Sequence, residues 1–164
     1  MSSSPPSKLA TWDQLAALVK TGSVFSLLDA CDDMNIQARV SQPQYASHCL
    51  FAGTAYRDHW AIAPHLMKVG VDDLAWFKET LAGRPWGYFV CGIQDASQAR
   101  RNFKRYLTSR LPSGEPVFFR FYDPRVVQVF LKSCTASERA AFFGQADSLM
   151  IPVSDAGLLQ EVRG

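Results

Sequence analysis

Short apolar runs that alternate with clear helix-start signals are the feature that most constrains this chain. The strongest runs are Val24–Asp29, Gly87–Ile93 and Val117–Tyr122. They are rich in aromatic and β-branched residues, which are favoured in strands. Amphipathic segments with helix-capping residues lie between them. Alternating strands and helices predict an α/β fold, in which a single-domain mixed sheet is covered by helices.

Four helix starts are predicted from their capping chemistry. They are Thr11-x-x-Gln14, Asp95, Asp123-Pro124 and Thr135-x-x-Glu138. The first and last have the spacing of a capping box, in which two side chains each satisfy a free backbone N–H of the first turn. The Asp-Pro pair fits because Asp accepts from free N–H groups and proline is favoured at the first helical position.

One domain is expected to span residues 8–153, between a disordered arm at 1–7 and a short C-terminal tail at 154–164. A length of 164 residues, 48% of them hydrophobic, allows one well-formed core. The N-terminus has neither the basic start nor the apolar run of a secretory signal, and no run reaches the ~18 residues of a membrane helix. These features indicate a cytoplasmic protein with no membrane partner.

The four cysteines support the same location. They are Cys31, Cys49, Cys91 and Cys134, which lie far apart and form no CxxC pair. Without an export signal, they are expected to be reduced thiols.

The chain lacks the common catalytic patterns. Its three histidines have no metal-binding spacing, its glycines stand singly, and no GxSxG or phosphate loop is present. Asp29, Asp32 and Asp33 could bind a cation or act as acid and base, but helix capping by Asp32 or Asp33 is the simpler interpretation. We therefore expect no enzyme activity, no cofactor and no metal.

The densest polar group is the segment Arg120–Arg125. In the predicted strand, Arg120 shares a face with Phe118 and Tyr122, and a guanidinium among aromatic rings is usually paired and stacked. Asp123 or another carboxylate is the expected partner. Arg125 lies in a first helical turn, where its charge opposes the macrodipole and needs an acidic partner. Two interpretations stay open, a clamp for an anion or carboxylate and an internal strut at the strand–helix corner.

A second candidate surface is a basic stripe, which consists of Arg100, Arg101, Lys104, Arg105 and Arg110. On the predicted helix it lies opposite Phe103 and Leu107. Such a stripe could bind phosphates or an acidic protein surface, or could simply be solvated. The net charge of +2 gives no global indication of nucleic-acid binding, and the exposed aromatics typical of single-strand binding are missing here.

Aromatic side chains in the loop region are candidate interface anchors, because Trp and Tyr outside a core are favoured at binding surfaces. The residues selected on this basis are Tyr45, Tyr56 and Trp60.

Several segments in order resemble the type VI secretion effector chaperone and adaptor family, first catalogued as a domain of unknown function. The matching segments are Phe25–Ala30, Leu50–Thr54, Ala63–Leu66, Trp86–Phe89, Val117–Val126 and Phe142–Gly144. The resemblance spans roughly residues 23–153, and the segment at 117–126 is its most specific part.

This resemblance implies a cytosolic protein that binds an effector toxin and helps to load it onto the valine–glycine-repeat spike, VgrG, without catalysis or a cofactor. The positions that carry the signature are Asp29, Pro64, Trp86, Gly87, Arg120, Tyr122, Asp123, Pro124 and Arg125. Many relatives continue into a C-terminal lobe thought to help select the effector. This chain ends at Gly164, so it is either a minimal version or selects its effector through the first lobe.

Two other functions remain as alternatives. The first is a nucleic-acid-binding module that uses the basic stripe. The second is a small enzyme that uses Arg120, Asp123 and Arg125 on a phosphorylated substrate, which would require an open pocket and a carboxylate with a perturbed pKa.

Overall fold

The structure, a computed structural model, describes residues 7–153 and 157–164. Its strands are β1 (Lys8–Ala10), β2 (Val24–Asp29), β3 (Ser47–Cys49), β4 (Pro64–Lys68), β5 (Gly87–Cys91), β6 (Thr108–Arg110), β7 (Pro116–Phe118), β8 (Ser148–Val153) and β9 (Leu158–Arg163). Its α-helices are α1 (Trp12–Val19), α2 (Met34–Val40), α3 (Leu74–Thr80), α4 (Ala96–Lys104), α5 (Pro124–Ser133) and α6 (Ala136–Phe143). Short 3-10 helices lie at Arg57–Ile62 and Val71–Asp73.

Seven strands form one sheet in the order β1-β9-β8-β5-β2-β4-β3, with antiparallel pairing between all the described neighbours. Strands β6 and β7 form a separate antiparallel hairpin. Every residue of β2 is buried, because helices cover both faces of the sheet. Phe25 and Leu27 therefore face one core, while Val24 and Leu28 face the other.

Three helices cover each face of the sheet. The core that contains Val24 and Leu28 is completed by α1, α2 and α3, and the core that contains Phe25 and Leu27 by α4, α5 and α6. The fold is a single α/β domain with helix layers on both sides of a sheet, which confirms the predicted fold class.

The capping residues predicted from sequence begin the helices as expected. Both capping boxes are present, at α1 and at α6. Asp95 accepts from two backbone N–H groups at the start of α4, and Asp123 accepts from Arg125 N–H at the start of α5. These local signals agree with the fold because each uses only residues within one helical turn.

The strand predicted at Val117–Tyr122 is wrong over most of its length. Strand β7 ends at Phe118, and the chain then turns, with Asp123 N–H donating to Arg120 C=O at 3.0 Å. Phe118 is 41% exposed whereas Tyr122 is 2% exposed, so the two do not share a face. Phe119 and Phe121 instead join an aromatic cluster with α4, α5 and α6, and this packing overrides the strand propensity of the segment.

The two ends of the chain differ from the sequence expectation. Leu158–Arg163, assigned above to a C-terminal tail, forms strand β9 between β8 and β1. Its mixed polarity gives a weak strand signal, but pairing on both sides satisfies its backbone. Of the predicted disordered arm at 1–7, only Ser7 lies inside the described residues.

Two further sequence expectations concern the thiols and the membrane. All four cysteines are free, as predicted. Among the described residues, none of the helices combines the length and the apolar character that crossing a bilayer requires.

Candidate functional site

A cleft of about 290 Å³ opens at the end of the sheet where β2 ends and β5 begins. Three segments form it: the loop after β2, the loop before β5 and the turn that leads into α5. The lining residues are Asp29, Cys31, Asp32, Asp33, Arg84, Pro85, Trp86, Arg120 and Arg125. The cleft thus brings together both helix layers of the domain. We call it the arginine cleft.

Three ion pairs organise the arginine cleft. Arg120 donates to Asp29 at 2.6 Å, and Arg84 donates to Asp33 at 2.7 Å. Arg125 binds Asp123 through two nitrogens, at 2.7 Å from Nη2 and 3.0 Å from Nε. Arg120 is therefore paired with a carboxylate, as predicted, and the carboxylate is that of Asp29. The Arg120 guanidinium also lies over the Tyr122 ring, 5.8 Å from its centre.

The two members of each pair differ in exposure. The carboxylate side chains of Asp29, Asp33 and Asp123 are only 6%, 11% and 4% exposed. Their arginine partners Arg120, Arg84 and Arg125 are 43%, 40% and 71% exposed. The carboxylates are therefore anchors inside the domain, and the guanidiniums form the surface that a ligand would meet.

Asp29 is the last residue of β2 and one of the buried carboxylates of the arginine cleft. Burial raises the pKa of its carboxyl group, while the Cys31 N–H and Arg120 act in the opposite direction. Burial also raises the pKa of the neighbouring Tyr122 hydroxyl. An almost fully buried carboxylate is tolerated because it accepts hydrogen bonds from a guanidinium and from a backbone N–H.

Asp123 explains the position of Arg125. Its side chain caps α5 by accepting from Arg125 N–H at 2.9 Å and also binds the Arg125 guanidinium. Burial alone would raise the pKa of Asp123, but the hydrogen bonds and charge of Arg125 lower it overall. The acidic partner expected for a cation in a first helical turn is therefore the capping residue itself.

Asp123→Asn is expected to make the domain less sensitive to acid. The pKa of Asp123 in the fold lies below its ordinary value of 3.8, so its stabilisation is present above that value and is lost as the pH falls below it. Asn preserves the cap but weakens the bonds to Arg125, which costs about 1–2 kcal/mol near neutral pH. Urea unfolding at about pH 7 and about pH 3 measures this. An equal difference from the wild type at both pH values would contradict it.

Gly87 and Trp86 position the loop before β5. Gly87 has φ of +134°, and a Cβ there would lie 1.9 Å from the Leu27 carbonyl oxygen. Only glycine permits this close approach. It brings the Trp86 carbonyl to within 2.7 Å of the Asp29 N–H, while the indole packs against Phe77 and Phe89. Two family-signature positions therefore have a structural role in fixing the cleft.

A larger groove of about 1080 Å³ continues from the arginine cleft. The two share four residues, Arg84, Pro85, Trp86 and Arg125. The rest of the groove is lined mainly by the end of α3, the start of α5 and the facing ends of β8 and β9, including Leu81, Pro152, Val153 and Leu158. A charged cleft and a partly apolar groove thus form one continuous surface.

Of the three aromatic anchors proposed from sequence, only Trp60 is exposed, with 55% of its surface accessible. Tyr45 is half-buried because it stacks on the guanidinium of Arg39, which lies 4.0 Å from its ring centre. Tyr56 is half-buried against Phe51 and Phe118. None of the three lines the arginine cleft.

Three members of the basic stripe, Arg100, Arg101 and Lys104, lie on α4, which buries Ala99 and Phe103. Helix α4 ends at Lys104, earlier than the predicted helix, so Arg105 follows the helix and Arg110 lies in β6. In the described part of the chain, no carboxylate forms an ion pair with any member of the stripe. Lys104 donates to the Ala52 carbonyl and Arg105 to the Asn102 side chain. Arg101 and Arg105 also line a small cleft of about 320 Å³ with Ile93 and Phe143.

The three carboxylates of the acidic cluster, Asp29, Asp32 and Asp33, have different environments in the structure. Asp33 caps α2 by accepting from Asn35 and Ile36 N–H groups, which is the simpler interpretation given above. Asp32 is exposed and has a positive φ of 58°. Within the described ranges, no group of three or more His, Cys, Asp or Glu side chains is arranged to hold a metal ion.

Sequence reasoning missed Arg84 as a site residue. Arg84 lies in an irregular loop after α3, and its partner Asp33 is 51 positions earlier in the chain. No local motif marks such a pair. The one available signal was the adjacent Pro85-Trp86-Gly87, since Trp86 and Gly87 already belonged to the family signature.

The fold and the site define an α/β domain with an arginine-lined surface cleft. A family model described as a domain of unknown function, DUF4123, matches residues 24–141, which is more than half of the chain. The protein therefore belongs to this family. Comparisons with curated proteins and with solved structures each gave no match. The matched range contains every residue that lines the arginine cleft.

Proposed function

We propose that this protein is a non-catalytic cytoplasmic adaptor that binds a type VI secretion effector toxin and promotes its loading onto the VgrG spike. The observation that carries the proposal is the arginine cleft, in which buried carboxylates hold three exposed guanidiniums beside a large groove. The chain belongs to the DUF4123 family. The resemblance to type VI effector adaptors covers nearly the same residues and supports the same function.

The arrangement suits protein binding. Arginine is favoured at the centre of interfaces because its planar group makes several directed hydrogen bonds and packs on aromatic side chains. Here each guanidinium is already oriented by an internal carboxylate, so less conformational entropy is lost when a partner binds. The neighbouring groove offers apolar surface that a partner segment can cover.

Co-purification with a VgrG spike protein and a type VI effector toxin from the same organism tests the proposal. We expect a stoichiometric complex with the toxin at micromolar concentrations, and recovery of spike in the presence of toxin. Size-exclusion chromatography coupled to light scattering measures both. The absence of any complex with either protein would contradict the proposal.

The basic stripe, whose members form no ion pair with the carboxylates that the structure describes, favours one alternative, nucleic-acid binding, and the same protein preparation tests it. That alternative requires salt-dependent retention on RNA or heparin, which Arg101→Glu/Arg105→Glu would abolish. For the adaptor function, we expect retention that is weak near physiological salt, and toxin binding that is independent of added RNA.

A further inference from the structure

We infer that the arginine cleft receives an acidic side chain of an extended or helical segment of the toxin, while apolar side chains of that segment lie in the adjoining groove. This inference rests on the proposed adaptor function and names the chemistry of its partner. It assigns the cleft a ligand that is a carboxylate within a peptide.

Unused hydrogen-bond donors are the first argument. An arginine has five N–H donors. In the described residues, Arg120 uses only Nη2, toward Asp29, and Arg125 uses Nε and Nη2, toward Asp123. Arg120 therefore keeps Nε and Nη1, and Arg125 keeps Nη1, for an acceptor from outside. Two such groups at one cleft suit a carboxylate, which accepts through two oxygens.

The position of the internal carboxylates is the second argument. Asp29 and Asp123 are almost fully buried behind their arginines, so an incoming anion meets the guanidiniums first. The pairs fix the direction of the free N–H groups, and a ligand gains specificity from this fixed geometry. The cleft is thus preorganised for an anion although its own charges are largely paired.

The adjoining groove favours a peptide over a free anion. A cleft of about 290 Å³ is sufficient for a carboxylate or a phosphate, but the continuous groove of about 1080 Å³ exceeds what a small anion can fill. Pro85 is exposed and lines both parts, so a chain leaving the cleft passes over its apolar ring. Further along the groove, the exposed Val153 and the half-buried Trp12 and Leu158 suit apolar side chains of the segment.

Asp32 provides a sensitive probe of this inference. It lines the cleft, is exposed and forms no ion pair with any described cation. Its carboxylate therefore repels an anion bound nearby. Asn tolerates the left-handed backbone that Asp32 adopts, so Asp32→Asn removes the charge with little effect on the fold.

The test is the affinity of a purified type VI effector toxin from the same organism for four forms of the full chain, including the wild type, measured by isothermal titration calorimetry. Arg125→Gln is expected to weaken binding about tenfold, and Asp32→Asn to strengthen it about threefold. Arg163→Gln is the matched control, because Arg163 is 70% exposed, binds Glu161 at 2.8 Å and lies outside the cleft. The control is expected to bind like the wild type.

The outcomes separate the inference from the function it rests on. A complex whose affinity is the same for the wild type and Arg125→Gln would overturn the inference and leave the adaptor function standing. If the wild type itself does not bind the toxin, both the inference and the adaptor function are overturned. Titration with inorganic phosphate gives the remaining outcome. Phosphate binding that Arg125→Gln abolishes, without competition against toxin, would assign the cleft to a small anion and overturn the peptide inference.

Discussion

Gly87→Ala is expected to lower the free energy of unfolding by about 4 kcal/mol or more, the largest effect of any substitution considered. The added Cβ would lie 1.9 Å from the Leu27 carbonyl oxygen and 3.0 Å from its carbon. Neither backbone can move away easily, because β2 and β5 pair at the centre of the sheet and both are fully buried. The φ of +134° adds a further cost for any residue with a side chain.

Urea unfolding followed by circular dichroism measures this loss, and Gly83→Ala is the matched control. Gly83 also has a positive φ, of 71°, but no atom lies within 4 Å of the position of its Cβ. The control is expected to lose only about 1–2 kcal/mol, the cost of the left-handed backbone. Equal losses in the two variants would show that the close approach of Gly87 to Leu27 is not the cause of the loss of stability in Gly87→Ala.

Arg120→Met is expected to cost about 2–3 kcal/mol near neutral pH. The Asp29 carboxylate is only 6% exposed in the wild type, and the substitution leaves it without its cation and with the Cys31 N–H as its remaining donor. The cost is smaller than for a fully buried pair because Arg120 itself is 43% exposed. Urea unfolding measures the loss. Arg163→Gln, which removes an exposed cation from another ion pair, is expected to change the stability by less than about 1 kcal/mol.

The pH dependence identifies the cause of this loss. Burial already raises the pKa of Asp29, and removal of Arg120 takes away an interaction that lowers it. When the pKa of a carboxyl is higher in the fold than in the unfolded chain, protonation stabilises the fold. The loss of stability of the variant relative to the wild type should therefore shrink as the pH falls toward 3.8, the ordinary pKa of an Asp carboxyl. Asp29→Asn/Arg120→Met should lose less than the two single changes together. A loss that is independent of pH would contradict this account.

Features encoded within one helical turn were predictable from the sequence. The capping boxes at Thr11 and Thr135 and the Asp123-Pro124 start of α5 depend on neighbouring residues, and each appears as expected. The buried strand β2 was also predictable from local sequence, since a short and nearly continuous apolar run is typical of a strand that is buried on both faces. The aromatic segment after Phe118 was misassigned because strands and aromatic clusters favour the same residues.

The composition of the site was only partly predictable. Arg120 and Arg125 were selected because cations in those positions need partners, but the partner of Arg120 is 91 residues away in the chain. Arg84 was marked only by its proximity to Trp86 and Gly87, two positions of the family signature. Such pairings depend on where the fold brings loops together, and neither spacing nor propensity encodes that.

The two interpretations of the Arg120–Arg125 segment are compatible in this structure. As a strut, Asp29 and Asp123 tie the turn before α5 to the end of β2 and to the helix itself. As a clamp, the outer faces of the arginines remain open to a partner. A change at Arg125, the most exposed of the three guanidiniums, should therefore weaken binding while leaving the domain folded, whereas a change to a buried carboxylate should affect both binding and stability.

The most direct test of a braced docking surface is a parallel measurement of toxin affinity and unfolding free energy for Arg125→Gln. The account predicts that affinity falls about tenfold while the domain remains folded, because Arg125 is 71% exposed and Asp123 keeps its capping bond to the backbone N–H of residue 125. Unchanged affinity in a complex that the wild type also forms would contradict the account, and so would a loss of affinity that merely follows unfolding.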